Sequence, residues 1–242
     1  MHLLLTRPKS DHDPLPELLR ARGHTTAHDP LLRIDLLPPP KFDPARLQAI
    51  AVTSSNALRA IDGTETLASL LTLPVFAVGD ATAAAARTMG FAQVRTGGGA
   101  AADLLPTILG ATKTENGAVL YLRGETVAFD LAAPLTAAGL TVIAAVVYRA
   151  VAAKAFAPET IAGLVRGTIS GVVLTSPRSA ETYAHLAEIA GLAGEVAHIP
   201  HFCLSARVAA GLSDLADSSV RIARRPNLQE LVALIDLDAT QS

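Results

Sequence analysis

The sequence predicts an α/β protein made of two similar lobes, each a doubly wound parallel sheet with helices on both faces. Three observations support this prediction. Short runs of β-branched and aliphatic residues, such as VLYLR and GVVLTS, alternate with Ala/Leu-rich segments of helical length. The second half of the chain repeats the turns of the first half at a nearly constant offset. Hydroxyl, amide and glycine residues follow the strand-like runs, where a strand turns into its helix.

The repeat is clearest in two strand-turn-helix segments. AVTSSNALRAI is echoed by VVLTSPRSAET, so that Thr53 corresponds to Thr175, 122 positions later. VFAVGDATAAAA is echoed by FCLSARVAAGL, so that Gly79 corresponds to Ser205, 126 positions later. The order of the echoes is the same in both halves, which indicates a duplicated α/β unit.

Two further pairs extend the repeat. VRTGGG and VRIARR place Arg95 and Arg221 at the same 126-residue offset. The N-terminal LLLTRP and the mid-chain VLYLRG place Arg7 and Arg123 at equivalent strand ends. The repeat therefore predicts that corresponding strands occupy corresponding places in two sheets.

Helix boundaries are also visible in the sequence. Asp13 before Pro14 predicts the start of the first helix, because an acidic cap followed by proline suits a first helical turn. Gly23, Gly90 and Gly139 predict helix ends, since glycine readily adopts the left-handed conformation that closes many helices.

Two segments predict chain crossings between the lobes. LLPPPKFDPA, at 36–45, predicts an extended crossing because successive prolines favour an extended, semi-rigid chain. VYRAVAAKAFAP, at 147–158, predicts a second crossing.

Composition excludes several classes of protein. The net charge near −2 and pI near 6.4, with scattered arginines, argue against nucleic acid as a partner. No run approaches eighteen consecutive apolar residues and the N-terminus lacks a signal-peptide pattern, so we expect a cytoplasmic protein without a membrane partner. Cys203, the only cysteine, is expected to be a buried, inert thiol.

The polar turns predict a binding site for an anion. Parallel sheets bind ligands beyond the carboxyl ends of their strands, and Thr6, Thr53, Gly79, Thr175 and Ser205 all follow such ends. Helix N-termini there offer free N–H groups, each contact contributing roughly 0.3–1 kcal/mol, so several turns would have to bind one polyanionic ligand. Ser, Thr and Asn after a strand are, however, most often plain helix caps.

Other catalytic motifs are missing from the sequence. GDATA is not a phosphate-binding loop, the GGG run lacks dinucleotide-binding spacing, and no Gly-x-Ser-x-Gly elbow occurs. Proline separates His198 from His201, and no Cys or Glu cluster lies near them, so we expect no metal site. Tyr148 ends an apolar strand near the second crossing, where its hydroxyl has either a structural role or that of a proton donor.

The order of these segments resembles uroporphyrinogen-III synthase over nearly the whole chain. The resemblance rests on LTRP, TSSNAL, AVGDATAAA, YLRG, VYR, LTSPRSAETY and RPNLQELVALI, in that order. Two positions depart from the family pattern. Ser205 and Val208 replace the glycine and threonine of a second Gly-x-x-Thr turn, and Asn227 stands where threonine often follows proline.

The resemblance implies two α/β lobes joined by a two-stranded β ladder, with the N-terminal unit packed into the lobe of the C-terminal half. It assigns residues 1–34 plus 150–242 to one lobe and 35–149 to the other. It implies cyclisation of hydroxymethylbilane, a linear tetrapyrrole, to uroporphyrinogen III, with loss of water and inversion of the last ring through a spiro intermediate.

The resemblance also implies residue roles and partners. Tyr148 is the candidate that assists departure of the hydroxyl, and neither a cofactor nor a metal is required. The protein is expected to be a monomer with a transient contact to hydroxymethylbilane synthase. The candidate substrate-binding residues are Thr6, Arg7, Thr53, Ser54, Ser55, Asn56, Gly79, Thr82, Arg123, Gly124, Thr175, Ser176 and Ser205.

Two other functions are left open by the sequence. One is a non-catalytic, two-lobed cytoplasmic binder or sensor of a small polyanion that uses the same turns. The other is a glycosyl or phosphoryl transferase, against which the missing phosphate loop and acidic metal pair argue.

Overall fold

The computed structural model describes residues 1–8, 13–215 and 218–240. These residues form eleven strands and eleven α-helices. The strands are β1 (His2–Leu5), β2 (Thr25–His28), β3 (Leu32–Leu36), β4 (Leu47–Val52), β5 (Val75–Ala77), β6 (Val94–Thr96), β7 (Ala118–Gly124), β8 (Val142–Ala152), β9 (Gly171–Leu174), β10 (Pro200–Cys203) and β11 (Ser219–Ile222). The helices are α1 (Leu15–Arg20), α2 (Ser55–Arg59), α3 (Glu65–Leu70), α4 (Asp80–Thr88), α5 (Leu104–Leu109), α6 (Ala132–Ala137), α7 (Pro158–Val165), α8 (Pro177–Ile189), α9 (Ala193–Ala197), α10 (Ala206–Ala209) and α11 (Leu228–Ala239).

The chain divides into two compact units. One consists of Met1–Arg33 with Val151–Ser242, and the other of Ile34–Ala150. The first unit contains a five-stranded sheet in the order β11-β10-β9-β1-β2, in which every neighbouring pair is parallel. The N-terminal β1 thus pairs with β9, so β1 and β2 complete a sheet whose other strands come from the C-terminal part of the chain.

The second unit contains a six-stranded sheet in the order β3-β8-β7-β4-β5-β6. The five strands from β8 to β6 are parallel. β3 runs antiparallel to β8, because the N–H of Ala153 donates to Leu31 and the N–H of Leu37 donates to Val147. The chain passes between the units inside these two strands. The predicted two-stranded ladder is thereby confirmed.

The first passage lies before the proline-rich segment and not within it. The boundary falls between Arg33 and Ile34 in β3, whereas the crossing was predicted at 36–45. The ladder extends to the N–H of Leu37, and the prolines that follow carry no N–H with which to continue it. The prolines therefore end the connecting strand inside the second unit.

The predicted repeat is confirmed by the order of the strands. β4, β5, β6 and β7 correspond to β9, β10, β11 and β1, and the orders β6-β5-β4-β7 and β11-β10-β9-β1 are the same. Each sheet is covered on both faces, which confirms the doubly wound architecture. In the first unit, one face packs against α8 and α10 and the other against α1 and α11. In the second unit, the faces pack against α2 and α4, and against α5 and α6.

The predicted helix boundaries agree with the backbone. Asp13 Oδ1 accepts a hydrogen bond from the N–H of Leu15 at 3.1 Å, at the start of α1. Gly23, Gly90 and Gly139 have φ angles of 81°, 100° and 89°. These angles lie in the left-handed region that glycine reaches without a side-chain clash.

A buried polar pair lies in the core of the first unit. His201 on β10 is fully buried, and its Nε2 lies 3.2 Å from the hydroxyl of Tyr183 on α8. Burial lowers the pKa of His201 to about 4 from its usual 6.5. Cys203 on the same strand is also buried, and burial raises the pKa of its thiol to about 12, as expected for an inert cysteine.

We expect His201 to make the protein less stable in acid. The unfolded state binds a proton near pH 6.5, while the folded state excludes it until about pH 4, so stability is lost as pH falls through this window. The free energy of unfolding should fall by on the order of 2–3 kcal/mol more in the wild type than in His201→Gln between pH 7 and 4.5, measured by urea titration.

The exposed His185 on α8 provides the matched control. His185→Gln should keep the full acid sensitivity. If the free energy of unfolding of His201→Gln falls in acid as much as that of the wild type, His201 is not the source of the acid sensitivity.

Candidate active site

Each sheet has one point at which the strand order reverses. In the second unit the chain runs outward from β4 to β5 and β6, whereas β7 and β8 lie on the other side of β4. In the first unit β2 lies on one side of β1, and β9, β10 and β11 lie on the other. Parallel sheets bind ligands beyond the carboxyl ends of the strands at such points. These switch points lie between β4 and β7 in the second unit and between β1 and β9 in the first unit.

The predicted residues of the second unit form one row along its carboxyl edge. The strands β8, β7, β4 and β5 are neighbours in the sheet. Tyr148 lies on β8 and Gly124 ends β7, while Thr53 follows β4 and Gly79 follows β5. Val52 pairs with Leu122, so Thr53 and Arg123 follow at the same level. The structure therefore brings these predicted residues of the second unit together.

Gly124 makes room for the ring of Tyr148. The two residues are paired across β7 and β8, at an irregularity in the register. A Cβ added to Gly124 would lie 2.7 Å from Tyr148 Cζ and 2.9 Å from its hydroxyl oxygen. Tyr148 is half-buried and Gly124 is buried, so the phenol packs directly against the backbone of Gly124.

The side chain of Arg123 is already held by its own loop. Its Nε donates to the carbonyl of Gly124 at 3.0 Å, and its Nη2 donates to the carbonyl of Glu125 at 2.9 Å. Its Nη1 lies 3.7 Å from Asp130 Oδ1. Arg123 thus shapes the turn after β7, and its charge is partly balanced by Asp130.

The turn after β4 is chiefly a helix cap. Ser54 precedes α2, and its hydroxyl accepts a hydrogen bond from the N–H of Asn56 at 3.2 Å. Asn56 Oδ1 accepts from Arg59 at 3.2 Å, and Ser55 is the first residue of α2. The capping interpretation of Ser54 is therefore correct, while the half-buried Thr53 lies at the edge itself.

The turn after β5 is different, because its helix has no side-chain cap. Gly79 is the N-cap residue of α4, and because it has no side chain it makes no cap hydrogen bond to the first turn of that helix. A Cβ on Gly79 would meet nothing nearer than the Cα of Gly99, at 3.9 Å, so packing does not require glycine here. Thr82 is buried in the same first turn.

The first unit has a corresponding row at its own carboxyl edge. Thr6 is buried, and its hydroxyl donates to the carbonyl of Val173 on β9 at 3.1 Å. Arg7 Nη1 lies 3.1 Å from Asp13 Oδ1. These two residues connect β1 to β9 and to the start of α1, so the structure gives both of them a structural partner.

The remaining turns of the first unit are capped. Ser176 accepts from the N–H of Ser179 at 3.1 Å at the start of α8, and the half-buried Thr175 precedes it. Ser205 accepts from the N–H of Val208 at 3.4 Å at the start of α10. Val208 is buried at the place that Thr82 occupies in α4, so the missing threonine of the second turn is replaced by an apolar contact.

Tyr121 was not singled out from the sequence, although it lies in the quoted VLYLRG run. It belongs to β7 opposite Ala51 of β4, and none of its surface is exposed. Its hydroxyl makes no hydrogen bond of acceptable geometry within the described residues. Burial raises the pKa of Tyr121 above its usual 10, and the Thr53 side chain and the Arg123 charge offset part of this rise.

Two further observations concern other parts of the molecule. A shallow depression of about 440 Å³ lies at the opposite edge of the second sheet, lined by Arg46, Gly117 and Thr141 among others. It is therefore separate from the row of predicted residues. Residues 1–8, 13–215 and 218–240 contain no group of His, Cys, Asp or Glu side chains arranged to hold a metal ion, and no helix suited to crossing a membrane.

Comparisons with known proteins address the whole chain. Residues 13–233 match the family model described as uroporphyrinogen-III synthase HemD. The crystal structure of uroporphyrinogen-III synthetase from Helicobacter pylori is similar with a TM-score of 0.68 and 18% identity, over 100% of this chain and 99% of that one. A mutant uroporphyrinogen III synthase from the extremely thermophilic bacterium Thermus thermophilus gives a TM-score of 0.58 and 16% identity, over 100% and 99%. No curated protein matches the sequence significantly.

Proposed function

The chain belongs to the uroporphyrinogen-III synthase family, and we propose that it cyclises hydroxymethylbilane to uroporphyrinogen III with loss of water. The protein is thus a cyclising lyase of porphyrin biosynthesis. The family match over residues 13–233 is the observation that carries this function, and nothing in the structure favours a non-catalytic binder. Incubation with hydroxymethylbilane, followed by separation of the porphyrin isomers, tests it.

The chemistry requires little acid catalysis. When the terminal C–O bond breaks, the pyrrole nitrogen stabilises the cation that forms, and the leaving hydroxyl needs one proton to depart as water. The harder task is to direct the substituted carbon of the last ring onto this cation, which gives the spiro intermediate. Rearrangement of that intermediate inverts the ring, and loss of a proton from carbon restores the pyrrole.

Tyr148 is our candidate for the proton donor. Tyr148 is half-buried and ends the parallel pairing of β8 with β7, one of the two strands at the switch point, and its hydroxyl lies against the backbone of Gly124. A phenol can give its proton to the departing hydroxyl and recover a proton when the ring rearomatises, so the residue is unchanged after each turnover.

Substrate carboxylates would be bound by turn residues. Each pyrrole of hydroxymethylbilane carries an acetate and a propionate, and carboxylates suit hydroxyl donors and free N–H groups at helix N-termini. Thr53 and the uncapped first turn of α4 after Gly79 have the strongest support in the second unit. In the first unit the half-buried Thr175 has the strongest support, because Thr6, Ser176 and Ser205 have internal partners.

The turn after Gly79 yields a testable prediction. Gly79→Ser would supply the hydroxyl that Ser205 supplies in the equivalent turn, and this hydroxyl would accept from the first-turn N–H groups of α4. We expect stability to rise by a few tenths of a kcal/mol and KM for hydroxymethylbilane to rise about three- to tenfold.

Gly79→Ala is the matched control, since its methyl fits without a clash and offers no acceptor. Its KM should stay close to that of the wild type. Equal KM values for Gly79→Ser and the wild type would exclude the first turn of α4 from substrate binding.

The instability of the free substrate favours a direct contact with the enzyme that supplies it. Free hydroxymethylbilane closes without a catalyst to the isomer whose last ring is not inverted, so a long diffusion path wastes it. We therefore propose that the protein contacts hydroxymethylbilane synthase transiently. We also propose that it is a monomer and that it acts in the cytoplasm. No cofactor enters the proposed reaction.

A further inference from the structure

The hydroxyl of Tyr121 is a buried polar group that the fold does not use. None of the Tyr121 surface is exposed, and its hydroxyl oxygen has no hydrogen-bond partner among the described residues. Most buried polar groups in native proteins are hydrogen-bonded, and an unmade bond destabilises the folded state. Phenylalanine would fill the same space without this cost, so the hydroxyl calls for an explanation outside folding.

The hydroxyl of Tyr121 lies close to the switch point between β4 and β7. The ring of Tyr121 packs with Leu131 and Leu135 on the α5 and α6 face of the sheet. The Thr53 side chain and the Arg123 charge lower the pKa of Tyr121 against the larger effect of burial, which indicates that both groups lie near the hydroxyl, yet no hydrogen bond joins it to Thr53 in the free protein. Tyr121 pairs with Ala51 of β4, and Thr53 lies two residues further along the chain, so strand alternation places Tyr121 and this proposed substrate-binding residue on the same face of neighbouring strands.

The second buried tyrosine behaves differently. Tyr183 lies in the core of the first unit, is equally inaccessible, and has its hydroxyl 3.2 Å from His201 Nε2. This hydroxyl is satisfied by the fold, as buried phenols usually are. The unmade bond of Tyr121 is therefore not a general property of the buried tyrosines in this protein.

We propose that Tyr121 is a positioning residue, whose hydroxyl donates to Thr53 Oγ1 when the Thr53 hydroxyl donates to a carboxylate of the substrate. This inference rests on the proposed function, because it takes the bound anion to be hydroxymethylbilane. A threonine hydroxyl can accept and donate at the same time, and a bond received from a phenol strengthens the bond that it gives. Substrate binding then completes the bond that the free protein lacks.

The inference predicts a change in KM without a loss of stability. Tyr121→Phe should raise KM for hydroxymethylbilane about five- to tenfold, the effect of one hydrogen bond, while kcat changes less than twofold. Its free energy of unfolding should be equal to or greater than that of the wild type, because an unsatisfied group is removed. Steady-state kinetics of isomer III formation and urea titration of the full chain provide these values.

Two comparisons separate this role from a structural one. Tyr183→Phe should lower the unfolding free energy and leave KM unchanged, since it breaks a completed bond inside the core of the first unit. Thr53→Val should raise KM, and adding Tyr121→Phe to it should have no further effect, because the two hydroxyls act as one unit.

Three results would overturn the inference. They are a KM of Tyr121→Phe within twofold of the wild type, a loss of stability like that of Tyr183→Phe, and additive effects in the double variant. Failure of the proposed function gives a different result, since the wild type itself would then make no isomer III.

Discussion

We expect Tyr148→Phe to lower the turnover of hydroxymethylbilane about 100-fold and to leave stability nearly unchanged. A positioned acid contributes roughly 10²–10⁴-fold, and the lower end applies because the pyrrole already assists departure of the hydroxyl. Phenylalanine keeps the ring that packs on the α2 and α4 face of the sheet, so the free energy of unfolding should change by less than about 1 kcal/mol. Initial rates of isomer III formation at saturating substrate measure the effect.

Two outcomes decide the role of Tyr148. Tyr183→Phe, which removes a phenol from the core of the first unit, should retain full turnover per folded molecule. If Tyr148→Phe turns over as fast as the wild type, Tyr148 has no part in the reaction.

Gly124→Ala should lower turnover about 10- to 100-fold, although it removes no polar group. The new methyl would lie 2.7 Å from Tyr148 Cζ, well inside the usual separation of about 3.5–4.0 Å between carbon atoms. The phenol must therefore move by about 1 Å, a displacement that can cost up to 10²-fold when it misplaces a reacting group. Because Tyr148 is half-buried, its ring can move towards solvent at a small cost in stability. Turnover and urea unfolding measure the two effects.

The matched control is Gly194→Ala. Gly194 lies in α9, where an added Cβ meets no atom within 4 Å, so turnover should be unchanged. The double variant Gly124→Ala/Tyr148→Phe should be no slower than Tyr148→Phe, because both changes act through one hydroxyl. Multiplied losses in the double variant would show that Gly124 acts independently of Tyr148.

The architecture could be predicted from the sequence because duplication preserved the turns. The pairs Thr53/Thr175 and Gly79/Ser205 lie at equivalent strand ends of two sheets with the same strand order. The repeat does not reveal which sheet receives β1, since that depends on hydrogen bonds such as Thr6 to Val173, 167 residues apart in the chain. That placement could be anticipated only from the family resemblance.

The chemistry of the turns was harder to predict. Ser54, Ser176 and Ser205 have the sequence signature of both caps and anion ligands, and each of them caps a helix here. The loop carbonyls that hold Arg123, and the contact of Gly124 with Tyr148, depend on backbone positions that no local motif encodes. Tyr121 was overlooked because an aromatic residue within an apolar strand usually indicates nothing beyond core packing.

The central claim is tested most directly by the isomer that this protein makes. The purified protein is mixed with freshly generated hydroxymethylbilane, and the products are oxidised to porphyrins and separated chromatographically. We expect mainly isomer III, formed at a rate proportional to the amount of protein. Isomer I alone, formed at the rate of a protein-free control by a protein shown to be folded, would contradict the assignment.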